Sequence, residues 1–260
     1  SGTYVLPGDV SSQFVSALLL ALPLLPGDST LTLTSAPESA PYIAMTEEVL
    51  AAAGISLYRT GSRYRIPGGQ RYRFPSHLTV EGDWSSAAFF LCAGAMSREG
   101  IAVDGLSLPT RQGDSALLPL LRQMGAEVNL SSGCITIRKG RLRATDIDAR
   151  PIPDLIPPLS VLAAAAEGGS HIQNVRRLRY KESDRLQGIA ELLNSLGGCL
   201  TVDGDGLLIH GVSHLQGGTV DPMGDHRLAM SAALAALSAD APVTVRDADC
   251  VSKSYPAFWA

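Results

Sequence analysis

The sequence has few aromatic residues, no excess of positive charge and no long apolar run. Phe, Trp and Tyr make up 5% of the 260 residues, and 21 Lys and Arg against 25 Asp and Glu give a net charge of −4. Nucleic acids require a basic surface that this balance does not provide. The longest apolar stretch, residues 16–26, is too short to span a bilayer and is interrupted by Pro23. We therefore expect neither a nucleic-acid partner nor a membrane partner.

Paired cysteines and export sequences are also missing. The four cysteines are far apart and include no CxxC pair: Cys92, Cys134, Cys199 and Cys250. This usage is typical of reduced thiols in a cytosolic protein. No basic segment precedes an apolar one near the first residue, so the sequence predicts no signal peptide. We expect a cytoplasmic location.

The common cofactor motifs are absent as well. The sequence contains no GxSxG, no GxxxxGK[ST] and no dinucleotide-type GxGxxG. His210 and His214 are four residues apart, but Gly211 between them argues against a helix and no acidic residue stands beside them. We expect no cofactor and no metal site, and thus chemistry carried out directly on a small polyanion.

What the sequence does have is an internal repeat. Four aspartates precede small-residue apolar segments at spacings of 74, 71 and 71 residues: Asp9, Asp83, Asp154 and Asp225. Glycines that end helical patterns recur at spacings of 71 and 72: Gly54, Gly125 and Gly197. Two independent markers with one period indicate a repeated structural unit.

Hydrophobic periodicity within each unit predicts the order strand, helix, strand, helix, strand, strand. The fold class is therefore α/β (α+β), with βαβαββ units and helices packed on mixed sheets. Predicted elements include a helix from Leu159 to Ala166, a strand from His77 to Val80 and a hairpin turn at 131–133. The many alanines in the first helix of each unit predict helices packed closely together inside the protein.

The most informative stretch is Arg179–Leu186 (RYKESDRL), which precedes an apolar helical pattern ended by Gly197. Unpaired backbone N–H groups at a helix start favour an anion. Lys181 and Glu182 beside such an anion provide charge stabilisation and a group for proton transfer. The alternative from these residues alone is an ion-paired helix start in solvent. We expect Ser183 to act as the cap and Asp184 as a first-turn acid.

Other candidates stand at equivalent places in the repeat. Ser11 and Ser12 are either helix caps or, with Gln13, a phosphate cradle. Asp154, held among prolines, is either a cap or a general base. Two cations complete the set: Arg227 at a helix start, and Lys253 at the position that corresponds to 179–185 one unit later.

Four motifs in this chain resemble the 5-enolpyruvylshikimate-3-phosphate (EPSP) synthase family. They are LPGDVSSQF at 6–14, VEGD at 80–83, KESDR at 181–185 and GDHRLAM at 224–230. The resemblance covers the whole chain. It implies six βαβαββ units in two lobes, each an inside-out α/β barrel, of which this chain has the third unit onward. Residues 1–80 would be the remaining part of an incomplete N-terminal lobe. Residues 81–260 would be the C-terminal lobe, with two full units and a truncated third.

The resemblance also implies an activity and roles for residues. The family transfers the enolpyruvyl group of phosphoenolpyruvate to the 5-hydroxyl of shikimate 3-phosphate. Asp154 would be the base and Glu182 the acid. The residues for shikimate 3-phosphate would be Ser11, Ser12, Gln13, Ser39, Tyr42, Asp154, Arg177 and Lys181, although some members carry Asn in place of Arg177. Those for phosphoenolpyruvate would be Gln13, Arg185, His226, Arg227 and Lys253.

Two other functions stay open at this point. One is a UDP-N-acetylglucosamine enolpyruvyl transferase, which shares the repeat but in which we do not expect KESDR and DHR together. The other is a non-catalytic repeat scaffold that binds anions, which would not need Asp154 and Glu182. For an EPSP synthase we expect a monomeric full-length enzyme, and an isolated fragment that is inactive because the family's N-terminal Lys, Gly-rich and Arg motifs are absent.

Overall fold

The chain divides into two units, each with its own hydrophobic core. The computed structural model describes residues 1–131 and 133–260; Ser132, in the predicted hairpin turn, lies outside the described residues. The first unit comprises Ser1–Val80 and Pro109–Gly113, and the second comprises Glu81–Leu108 and Asp114–Ala260. Both contain helices and sheets, so the predicted mixed α/β class is confirmed.

The first unit is one βαβαββ repeat around a single sheet. Its elements are β1 (Gly2–Leu6), α1 (Ser12–Ala21), β2 (Ser29–Leu33), α2 (Ala40–Ala52), β3 (Tyr58–Thr60) and β4 (Arg63–Ile66). The strand order is β1-β2-β4-β3, with β1 and β2 parallel and the other pairs antiparallel. Because β1 and β2 are parallel, α1 and α2 both begin at the carboxyl ends of these strands.

The second unit contains three further repeats. The first of them has α3 (Trp84–Met96), β5 (Ile101–Asp104), α4 (Leu117–Gln123), β6 (Glu127–Ser131) and β7 (Cys134–Arg138). The next has β8 (Ile147–Asp148), α5 (Ile156–Ala164), β9 (Gly169–Gln173), α6 (Arg185–Ser195), β10 (Cys199–Asp203) and β11 (Gly206–His210). The last has β12 (Gly218–Val220), α7 (His226–Ala236) and β13 (Val243–Val245).

The same strand order recurs in these sheets. The order β8-β9-β11-β10 reproduces β1-β2-β4-β3, including one parallel pair followed by antiparallel pairs. The sheet β5-β7-β6 is the same arrangement without a first strand, and the parallel pair β12-β13 is its first half. The periodicity of the sequence therefore corresponds to a repeated topology.

Small side chains allow the helices of the second unit to pack together, as predicted. All nine residues of α5 are buried, and this helix contacts α3, α6 and α7. A helix that is apolar on every side lies in the interior of a protein. The central position of α5 places the turn before it, which carries Asp154, next to the starts of α6 and α7.

Several predicted bounds were wrong. No strand forms at His77–Val80, where all four residues are exposed. The unit pattern predicts a first strand in each repeat, but it gave no bounds for the short strands β8 and β12. Helix α5 begins at Ile156, three residues before the predicted start, because Pro157 and Pro158 fall in the first turn, where a backbone N–H has no intrahelical partner.

Candidate active site

The charged stretch predicted as a site forms the entrance to α6. Residues Arg176–Tyr180 make a short 3-10 turn, and α6 begins at Arg185. Asp184 is the N-cap, because its Oδ1 accepts a hydrogen bond from the backbone N–H of Gln187 at 3.0 Å. The predicted cap role of Ser183 is wrong, since its hydroxyl instead donates to Asp225 Oδ2 at 3.1 Å.

Arg185 is the centre of the site. Its side chain is 1% exposed, and its guanidinium donates to three carboxylates. Nε lies 2.7 Å from Asp225 Oδ2, Nη1 lies 2.7 Å from Asp154 Oδ1, and Nη2 lies 2.5 Å from Glu182 Oε2. A planar, permanently charged fork with several donors is suited to this arrangement, which an ammonium group does not reproduce.

Asp154 is surrounded by cations. It lies in the 3-10 turn Pro153–Leu155 that leads into α5. Besides Arg185, its Oδ1 is 3.3 Å from Lys181 Nζ and 3.6 Å from Arg227 Nε. Arg227 also donates from Nη1 to the backbone oxygen of Asp154 at 3.3 Å. The structure thus brings together the proposed base and three predicted cations.

Glu182 is the second predicted proton-transfer group. Its Oε1 lies 3.4 Å from Lys253 Nζ, and its other oxygen accepts from Arg185. Burial acts to raise the pKa of Glu182, but the charges of Arg185 and Lys253 and a backbone hydrogen bond together leave the pKa below its ordinary value. Lys253 reaches Glu182 from the 3-10 turn Ala248–Lys253, which follows β13.

The start of α7 contributes a counter-ion that the sequence did not identify. Met223 and Gly224 have left-handed backbone conformations, with φ of 51° and 68°, and turn the chain into Asp225. Asp225 is fully buried and caps α7 by accepting from the N–H of Arg227 at 2.9 Å. Burial acts to raise the pKa of Asp225, but the hydrogen bond and charge of Arg185 lower it below its ordinary value. Asp225 is therefore the buried counter-ion of Arg185 and fixes the orientation of its guanidinium.

His226 lies beside this pair in a buried position. Its Nδ1 is 3.8 Å from Asp225 Oδ1 and makes no hydrogen bond to any residue that the structure describes. Burial and the charge of Arg227 lower the pKa of His226, so the ring is neutral at pH 7. Arg177 is half-buried in the 3-10 turn before Lys181.

The remaining predicted residues lie in the first unit, at the starts of α1 and α2. Ser11 caps α1 by accepting from Gln13 N at 3.2 Å, and Ser12 is buried behind it. Ser39 precedes α2 in a left-handed conformation (φ 52°), an unusual state for a serine. Its carbonyl accepts from the backbone N–H of Tyr42 at 3.0 Å.

The loops that lead to these two helices are joined to each other. The Ser35 hydroxyl accepts from the N–H groups of Gly8 and Asp9 and donates to the Asp9 carboxylate at 2.8 Å. The carbonyl of Gly8 also accepts from the N–H of Glu38 at 3.2 Å. The polar groups at the starts of α1 and α2 therefore share one edge of the first unit.

The second-unit site contains four cations, each in contact with at least one carboxylate. Lys181, Arg185, Arg227 and Lys253 contact Asp154, Glu182 and Asp225, so opposite charges nearly balance. In the described part of the chain, no group of three metal-ligating side chains comes together. Nor does any described helix have the length and apolar character needed to cross a membrane. The fold and site define a repeat-built α/β protein with a cluster of four cations and three carboxylates.

Comparisons with known proteins give the family. The family model for "EPSP synthase (3-phosphoshikimate 1-carboxyvinyltransferase)" matches residues 2–260. This chain belongs to the EPSP synthase family, so the resemblance predicted from its motifs is confirmed. Among curated relatives, the 3-phosphoshikimate 1-carboxyvinyltransferases of Clostridium kluyveri and Methanocella arvoryzae are each 41% identical over 100% of the chain.

Solved structures agree with this result. An EPSP synthase structure from Acinetobacter baumannii superposes with a TM-score of 0.82 at 29% identity over 98% of this chain and 60% of that one. The chain spans 61% of the length of the two curated relatives named above.

Proposed function

We propose that this chain is part of an enzyme that transfers the enolpyruvyl group of phosphoenolpyruvate to the 5-hydroxyl of shikimate 3-phosphate. The products are EPSP and inorganic phosphate. This is the 3-phosphoshikimate 1-carboxyvinyltransferase reaction of the shikimate pathway, which supplies chorismate and the aromatic amino acids. Family membership and the names of the relatives support this activity.

The observation that carries the proposal is the link that Arg185 makes between two carboxylates. Asp154 and Glu182 accept from the two terminal nitrogens of one guanidinium, which fixes both relative to a single buried group. The reaction needs a base at the attacking hydroxyl and an acid that protonates the methylene carbon of phosphoenolpyruvate. Asp154 takes the first role and Glu182 the second.

The cations have matching roles. Arg185, Arg227 and Lys253 bind the phosphate and carboxylate of phosphoenolpyruvate. We assign His226 and Gln13 to the same substrate, and Lys181 to shikimate 3-phosphate. In the site described above these cations are held by carboxylates, so substrate anions exchange for existing ion pairs. The residues assigned to shikimate 3-phosphate are Ser11, Ser12, Gln13, Ser39, Tyr42, Asp154, Arg177 and Lys181.

We assign residues 1–80 to the N-terminal lobe of the enzyme and residues 81–260 to its C-terminal lobe. Because the relatives are longer than this chain, we expect the chain alone to show no turnover above background. A monomeric full-length protein and a cytoplasmic location stay predictions from the sequence.

A chimeric enzyme tests the proposal. This chain replaces the matching segment of the Clostridium kluyveri relative, and phosphate release from phosphoenolpyruvate is followed with and without shikimate 3-phosphate. We expect turnover that depends on shikimate 3-phosphate. Asp154→Ala and Glu182→Gln each lower kcat by about 10²-fold or more, the usual contribution of a general acid or base.

The matched control is Glu191→Gln, the same change at an exposed position in α6, the helix that begins three residues after Glu182. It should leave kcat unchanged. Unaltered turnover in both site variants would refute the catalytic assignment. If UDP-N-acetylglucosamine replaced shikimate 3-phosphate as the acceptor, the substrate assignment would be wrong and the sister activity correct.

A further inference from the structure

A buried carboxyl without a role in the proposed reaction lies behind the site. Asp114 is 3% exposed and belongs to the 3-10 turn Gly113–Ala116 that leads into α4. Its Oδ2 accepts a hydrogen bond from the hydroxyl of Ser85 in the first turn of α3. Its Oδ1 is buried and makes no hydrogen bond within the described residues. Such a carboxylate destabilises a fold, because one oxygen loses water and gains no donor.

Packing brings Asp114 into the electrostatic field of the site. Helix α3, which carries Ser85, packs against α4, α7 and the 3-10 turn that holds Asp154. Three charged groups act on Asp114 from these elements: Asp154 before α5, Arg227 in α7 and Asp83 at the N-cap of α3. Asp83 is itself engaged with the N–H groups of Ser85 and Ser86.

Burial raises the pKa of Asp114 to about 6. The Ser85 hydrogen bond opposes this increase, the Asp154 charge adds to it, and the Arg227 charge opposes it. An electrostatic interaction between two titrating groups is reciprocal. A charge on Asp114 must therefore strengthen the hold of Asp154 on a proton by the same free energy by which Asp154 acts on Asp114.

This reciprocal effect bears on how Asp154 can act as a base among cations. Asp154 has three cations within 3.6 Å of Oδ1, and nearby cations make a carboxylate a weaker base. We propose that Asp114 is a positioning residue, whose buried negative charge offsets these cations and forms with Asp154 a coupled carboxyl pair. The pair, rather than Asp154 alone, then holds the proton that leaves the 5-hydroxyl of the acceptor.

The inference rests on the proposed base role of Asp154, but its physical core is testable on this chain without substrate. The side-chain carboxyls of aspartate are labelled with ¹³C, and NMR follows them from pH 3 to pH 8. The signal missing from Asp114→Asn identifies Asp114. We expect Asp154→Asn to move the midpoint of the Asp114 titration to lower pH by about 0.5 unit or more, because a like charge is removed.

A second variant should shift the titration midpoint of Asp114 in the opposite direction. Arg227→Gln removes a cation that favours the ionised form, so the Asp114 midpoint should move to higher pH. A variant that merely loosens the fold would give a different result. It would hydrate Asp114 better and lower its midpoint in both variants, instead of lowering it in one and raising it in the other. The control Asp203→Asn, at the exposed end of β10, should leave the midpoint unchanged.

Two outcomes overturn the proposal: both site variants leave the midpoint where it was, or both lower it. In the chimeric enzyme, Asp114→Asn should lower kcat at pH 7.5 and move the acidic limb of the kcat profile to lower pH. An unmoved limb also contradicts the pairing. Failure of the base role looks different: Asp154→Ala then retains turnover while the two opposite NMR shifts are still observed.

Discussion

Replacing Arg185 by methionine tests what holds the site together. Asp225 is fully buried, and Arg185 supplies two of its contacts, at 2.7 Å and 3.4 Å. Without the guanidinium, Asp225 keeps the Ser183 hydroxyl and the Arg227 N–H but loses its countercharge. Removing one partner of a buried ion pair costs about 3–5 kcal/mol. We expect the free energy of unfolding of Arg185→Met to fall by that amount.

The partner variant Asp225→Asn is a matched control. Asparagine is as good an N-cap as aspartate, so the start of α7 is preserved. Arg185 also keeps Asp154 and Glu182, so the loss should be smaller, about 1–3 kcal/mol. In the double variant no charge is left buried and unpaired. The double variant should therefore be more stable than Arg185→Met alone.

Urea unfolding followed by tryptophan fluorescence measures these differences, since Trp84 is fully buried. The contribution of the pair also depends on pH. The folded-state pKa of Asp225 is lowered, so the contribution is present above the unfolded-state value of about 3.9 and disappears as the pH falls through the folded-state value. Additive losses in the double variant, or an Arg185→Met variant within 1 kcal/mol (about a fivefold change in equilibrium constant) of wild type, would refute the argument.

Three further predictions concern the interior of the second unit. The folded-state pKa of Asp114 is raised from 3.8 to about 6, so the free energy of unfolding of wild type should fall by about 3 kcal/mol as the pH rises through 6. Asp114→Asn should not show this loss. Urea unfolding at pH 4 and pH 8 compares the two proteins. Exposed Cys199 should react with Ellman's reagent at pH 8, whereas Cys92, whose pKa burial raises to about 12, should react only after unfolding. Ala163→Leu in α5 should cost about 1–3 kcal/mol by overpacking, and Ala236→Leu, at an exposed position, nearly nothing by the same assay.

The repeat could be predicted from the sequence because its markers are local. An aspartate at a helix start and a glycine at a helix end each satisfy backbone groups of their own helix. Their spacing therefore survives as a visible period, and the structure places Asp83 and Asp225 at N-caps. The order of strands and helices along each unit was predicted in this way, whereas the strand order β1-β2-β4-β3 within the sheet is known from the structure.

Strand errors arose where pairing rather than local pattern decides. The alternating sequence His77–Val80 reads as a strand, but no described strand pairs with it, and Val80 is 85% exposed. Conversely, β8 is only two residues long, Ile147 and Asp148, and exists because it pairs with β9. Backbone hydrogen bonds to a distant segment leave no trace in a short window of sequence.

The candidate site divides in the same way. Lys181, Glu182 and Arg185 could be identified because a charged cluster at a helix start is unusual in a short window. Asp225 was assigned only as a repeat marker. An aspartate before a helix is expected as an N-cap, so its sequence position gave no sign of a second role. The missing indication was the burial of Arg185, which requires a buried countercharge that only the tertiary structure supplies.

Unequal exposure of the ion pairs suggests an order of events for the anion binding proposed above. Lys253 and Glu182 have side-chain exposures of 55% and 31%, so their contact at 3.4 Å is weak and screened by solvent. The Arg185–Asp225 contact is dry and bidentate. An arriving phosphate or carboxylate exchanges most readily with the exposed pair, while the buried pair keeps the guanidinium oriented. In the proposed function, Arg185 then meets the anion with its guanidinium already oriented by Asp225, and a charge that is oriented in advance stabilises a transition state most.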